Sequence, residues 1–140
     1  MISSWFGFQE VAVFEGITIY EGERFGTGYG SAGLCLPGIG IFIGRTTFQQ
    51  DIATVRHEFG HILQARKIGY LSFYIVIGTL SLLSAATGGF GKGHQHHWVE
   101  GWCNYLAKDY FNQQGADWNE RRFPPKNIKA STLRWISWKL

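Results

Sequence analysis

Charge is scarce in this sequence: Asp, Glu, Lys and Arg together make up 16% of its 140 residues, against a hydrophobic fraction of 45%. That balance excludes intrinsic disorder as the main state, because such a chain has apolar surface enough to offset the entropy of ordering. The net charge is only +3 and the basic residues are scattered, so no nucleic-acid surface is indicated. Cysteine is limited to Cys35 and Cys103, which excludes a disulfide scaffold. Proline occurs three times, and the nineteen glycines follow no collagen-like period, so they read as tight turns and close backbone approaches. The first residues, Met1-Ile-Ser-Ser-Trp-Phe6, lack a positive start and a long apolar stretch. No cleavable export signal is expected, and the chain reads as cytoplasmic or membrane-associated, with export by a non-classical route as the alternative.

What is present divides into a strand-like and a helix-like part. Val11–Phe14, Ile17–Tyr20 and Ile39–Gly44 are short β-prone runs punctuated by Gly16, Gly22 and Pro37-Gly38, which predicts a small antiparallel sheet. The glycine-rich run 26–33 lacks the Lys-Ser/Thr ending of a phosphate loop and reads as a turn. From Asp51 onward the apolar residues Ile52, Val55, Phe59, Ile62 and Leu63 recur at helical spacing, with Asp51 as N-cap and Gly69 as C-cap. Ile68 to Gly91 holds no charged residue. Its apolar run 70–86 is broken by Ser72, Gly78, Thr79, Ser81 and Ser84, which favours a buried or interfacial helical hairpin over a membrane span. Trp98, Trp102, Tyr105 and Leu106 predict a third helix from about His96 to Gln113. The tail from Thr132 to Leu140 is either a strand or a docking segment, and Trp135 and Trp138 are expected mainly to fill the core. Contact with a membrane surface, through the 70–86 run or this basic aromatic tail, is the other expectation for these segments. The whole reads as one α+β domain, with a sheet over about 1–50, a helical part over about 51–115 and a tail over about 116–140.

The residues that carry chemistry lie in the second half. His57-Glu58-Phe59-Gly60-His61 places two imidazoles one helical turn apart on one face, where both can reach a single zinc ion. Glu58, beside the first ligand, is suited to take a proton from water at the metal's open side. Such a string also arises by chance in exposed helices, but here apolar Val55, Ile62 and Leu63 flank it. A catalytic zinc keeps three protein ligands, and Glu100 on the third helix is the favoured third. Asn104, one turn on, would orient a ligating histidine. His94, His96 and His97 compete for the third place or form only a polar helix start, and His97 is the favoured oxyanion-stabilising auxiliary.

These residues together resemble the zincin metallopeptidases of the gluzincin type. The segments Val55–Gln64, Gly78–Ala85, Trp98–Asn104, Tyr110-Phe111 and Gly115–Trp118 are most similar to small bacterial metallopeptidase domains found at the C-termini of RHS/YD-repeat proteins and as stand-alone chains. The resemblance covers about residues 39–125 and implies a minimal zincin fold with one zinc ion per chain and a peptide or protein substrate. A minimal zincin should also keep a strand beside the metal that binds substrate through its edge, and Ile39–Gly44 is the candidate.

The expected function is therefore zinc-dependent peptide hydrolysis, with His57, His61 and Glu100 on the metal and Glu58 as general base. Two alternatives stand beside it. A peptide-deformylase-like hydrolase would take a thiol ligand, for which Cys35 is the candidate, although it lies only 22 residues before His57 and Gly60 replaces the acidic residue of that motif. A zinc-stabilised interaction or toxin-like effector domain would need no base at all, which the presence of Glu58 disfavours.

Overall fold

Alternating apolar residues in the first part of the chain build a five-stranded sheet from β1 (Ser4–Trp5), β2 (Phe8–Phe14), β3 (Ile17–Gly22), β4 (Gly33–Leu36) and β5 (Gly40–Gly44), in the order β1-β2-β3-β5-β4. The structure, a computed structural model, describes residues 4–5, 7–23, 33–86 and 97–137, and it is α+β. The glycine run over 24–32, the turn after residue 86 with His94 and His96, and Trp138 lie outside the described residues. The chain divides into two compact units, Met1–Ile62 and Leu63–Leu140.

In the first unit, β2 and β3 form a hairpin closed by Glu15 and Gly16, both at positive φ (50° and 78°), the mirror-image turn that matches strand twist. The sheet is mixed rather than antiparallel as expected. β5 pairs parallel with β3, Ile19 facing Ile41, and antiparallel with β4, Cys35 facing Ile41. β4 and β5 are sequence neighbours, but β5 is the one inserted beside β3. All five β5 residues are buried, and Ile19, Ile41 and Ile43 are wholly so. Burying each such side chain contributes about 1.5–3 kcal/mol. With neighbours on both sides, β5 has no edge to offer a substrate, so the role expected for Ile39–Gly44 does not hold; among the described residues the edge strands are β1 and, beside β5, β4.

The Glu21 carboxylate on β3 accepts hydrogen bonds from the Thr46 and Phe48 amides (3.0 and 3.1 Å), tying the sheet to the short helix α1 (Thr47–Gln50). α2 (Ile52–Ile68) follows. Asp51 accepts from the Thr54 hydroxyl at 2.7 Å and its amide at 3.4 Å, the N-capping expected of it. Val55, Phe59 and Ile62 are buried, and Phe59 meets Phe14 of β2 edge to face at 6.1 Å.

In the second unit α2 ends at Ile68, and Gly69 (φ 90°) turns the chain. The apolar run is one unbroken helical stretch and no hairpin: α3 (Tyr70–Ser72), a π-helical segment (Phe73–Gly78) and α4 (Thr79–Ala86). Among the described residues no helix is long and apolar enough to cross a membrane. α5 (Trp98–Asn112) and α6 (Ala130–Ile136) complete the unit. Ala65, Ile68, Phe73, Ile77, Val99, Trp102 and Ile136 form its core. The described part of the tail is thus helical, because Leu133 and Ile136 share one helix side and pack on that core. Trp135, expected inside, is 84% exposed, because it points away from that side.

The fully buried Gln64 of α2 donates its Nε2–H to the Val99 carbonyl at 2.8 Å, fixing the start of α5 against the end of α2. Gln64→Leu keeps the volume but removes this donor. The expected loss is about 1–3 kcal/mol of unfolding free energy, measured by urea denaturation monitored by circular dichroism; an unchanged midpoint would remove Gln64 from the forces that position α5.

Candidate metal centre

The helical periodicity of α2 buries Val55, Phe59 and Ile62 and carries His57, Glu58 and His61 with them. His57 and His61 stand one turn apart with ring centroids 5.4 Å from each other. His61 and Glu58 are buried, and His57 is partly so. The backbone of β4 lies directly on Glu58: a Cβ at Gly33 would stand 2.3 Å from Glu58 Oε1 and 2.6 Å from its carboxyl carbon. Only glycine leaves room for the carboxylate there.

The second unit holds the other residues read from the sequence. Glu100, in the first turn of α5, is wholly buried, and its Oε1 accepts a hydrogen bond from the Ser81 hydroxyl at 2.6 Å. Asn104, also wholly buried, donates from Nδ2 to the Pro124 carbonyl at 3.2 Å, which holds the segment after α5 against that helix. His97 is the N-cap of α5, its Nδ1 accepting from the Val99 amide at 3.4 Å, so the structure gives it a helix-starting role.

The nitrogen and sulfur ligand atoms of His57, His61 and Cys103 lie within 4.8 Å of one another, and this cluster could hold a metal ion. Ligand atoms around a tetrahedral zinc stand roughly 3.3–3.6 Å apart, within that limit. Two imidazoles and a thiolate form the borderline-soft donor set that suits zinc. Among the described residues, Cys103 rather than Glu100 joins the two histidines, while Cys35 is buried within β4 and is no member of the group. Sequence reasoning weighed Cys103 only in the cysteine count and not as a ligand. The signal was its spacing: it lies three residues after Glu100 and so shares a helix face with it. Comparison of the chain with models of protein families, with curated proteins and with solved structures finds no match.

Cobalt(II) loaded in place of zinc distinguishes the two α5 donors. Wild-type protein is expected to show the thiolate-to-cobalt charge-transfer band, and Cys103→Ser to lose it while His61→Ala loses binding altogether. A metal-loaded wild type without that band, whose metal content falls in Glu100→Ala, would return the third position to Glu100.

Proposed function

We propose that this chain is a zinc-dependent hydrolase of peptide bonds, a metallopeptidase of the zincin kind. The observation that carries the reading is the buried Glu58 carboxylate seated between His57 and His61 in sequence and covered by the glycine backbone of an edge strand. A site that only staples two elements together closes its metal with four ligands and has no use for a base. Among the described residues the donor group has three members, and Glu58 directly follows the first of them.

His57 and His61 would hold the metal with Cys103 or Glu100 of α5 as third ligand; when bound, zinc supplies Lewis acidity that polarises a carbonyl and makes water nucleophilic near neutral pH. Glu58 then acts as general base and acid: its carboxylate takes the proton from water as the carbon–oxygen bond forms and gives it to the amide nitrogen as the carbon–nitrogen bond breaks. Burial strengthens that role by removing competing water. The edge strand β4 offers backbone groups alongside Glu58 on which an extended peptide can align. A thiol in the donor group favours a second reading, an amide hydrolase of the peptide-deformylase kind, in which the thiol is supplied downstream of the histidines rather than upstream.

Zinc-loaded protein assayed against a mixed library of unblocked and N-formylated peptides tests both. Glu58→Gln is expected to keep about one zinc per chain and to lose a factor on the order of 10²–10⁴ in rate. Full activity in that variant would end the assignment of Glu58 as base. Release of formate with no internal cleavage would select the second reading. Gly33→Ala is a separate check on the same carboxylate. Its methyl would stand 2.3 Å from Oε1 and 2.5 Å from Cγ, so the buried Glu58 side chain must shift as a whole; the expected cost is about 1–3 kcal/mol of stability, while the rate falls at least about tenfold with zinc content unchanged.

A further inference from the structure

The helical stretch from Tyr70 to Ala86 has two apolar sides. One is committed to the core through Phe73 and Ile77, with Val76 and Leu80 packed against it. The other presents Tyr70, Leu71, Tyr74, Ile75, Leu82 and Leu83, each between 39% and 62% exposed. These fall in adjacent pairs at spacings of four and eight, with exposed Thr79 in the gap, so they lie along one side of the helix over about 20 Å at 1.5 Å per residue. Six exposed large apolar side chains gathered on one side of a helix mark a docking face.

Charge decides what it fits. No charged residue occurs from Ile68 to Gly91, whereas Arg66 and Lys67, immediately before the stripe, are both exposed. Tyr70 and Tyr74, at that same end, pair an apolar ring with a hydroxyl suited to a wet boundary. The unit that carries the stripe holds ten Lys or Arg against four Asp or Glu, while residues 1–62 hold three against six. An apolar helix side with a basic, tyrosine-bearing end on the basic half of the chain matches a surface that is negative outside and apolar beneath.

We propose that this face of the Tyr70–Ala86 helix lies in the surface of an anionic lipid bilayer, with Leu71, Ile75 and Leu82 entering the acyl boundary and Arg66 and Lys67 on the headgroups. The helix lies on the membrane and does not cross it, in keeping with its length. This stands apart from the hydrolase reading and survives its failure.

Co-sedimentation of the full chain with vesicles of phosphatidylcholine alone, or with about a third phosphatidylglycerol, tests the proposal. Wild type is expected to bind the anionic vesicles at least about tenfold more tightly than the neutral ones, and less tightly as salt rises. Leu71→Ser, Ile75→Ser and Leu82→Ser combined should lower that binding at least about tenfold. Arg66→Gln with Lys67→Gln should lower it on anionic vesicles only, and it leaves the apolar face intact should the triple variant prove misfolded by circular dichroism. Protein that stays in the supernatant with anionic vesicles overturns the proposal. So does equal binding to both vesicle types. A wild type that self-associates in sedimentation velocity, ignores vesicles and becomes monomeric in the triple variant would assign the face to a second copy of the chain instead.

Discussion

Everything near the histidines depends on a conflict within one helix. α2 must bury Val55, Phe59 and Ile62, yet the same few turns hold His57, Glu58, His61 and Gln64, of which only His57 is more than slightly exposed. Polar groups taken out of water cost free energy unless partners meet them. The neighbouring sequence is arranged around that demand. Gln64 is met by the Val99 carbonyl, and Glu58 is accommodated only because β4 begins with glycine. Most of the first unit's core, Ile19, Ile41, Ile43 and Phe59, is purely apolar and supplies the stability that such a polar interior spends.

α2 was the most legible element because each of its signals is local: Asp51 at the start, apolar residues at helical spacing, Arg66 and Lys67 in the last turn, Gly69 beyond. The sheet was legible in its strands and illegible in its order. Ile17–Tyr20 and Ile39–Gly44 could be found from composition, but the parallel pairing of β3 with β5 joins residues some twenty positions apart, and no local pattern encodes it. β4 escaped notice because it has four residues and follows a glycine-rich stretch. Its place at an edge of the sheet, with its first residue against Glu58, is a matter of strand order that its own residues do not encode.

Site residues divided along the same line. The His57–His61 spacing is a property of one helix and needed no tertiary information. Glu100 and Cys103 lie three residues apart on one side of α5, so neither spacing nor composition selects between them as partner of the histidines. The hydroxyl that meets Glu100 comes from Ser81, nineteen residues earlier, within a run whose serines read from sequence only as interruptions of apolar character.

That hydrogen bond and the exposed stripe have a common origin in helix geometry. Along residues 70–83 the exposed pairs 70/71, 74/75 and 82/83 alternate with inward pairs 72/73, 76/77 and 80/81, a repeat of four. An α-helix repeats every 3.6 residues, so a repeat of four drifts by about 40° each time, or about 120° over the run. The π-helical segment Phe73–Gly78 closes its turns with longer i→i+5 bonds and takes up part of that drift. Two consequences follow together: Leu82 and Leu83 stay exposed as Leu71 and Ile75 are, and Ser81 falls with Phe73 and Ile77 on the inward side, where its hydroxyl meets Glu100. Restoring regular α-helical winding across 73–78 would rotate both sets at once, twisting the outer stripe and carrying Ser81 away from the buried carboxylate. The one irregular segment of the helix therefore ties the shape of its outer face to the setting of an acid on α5.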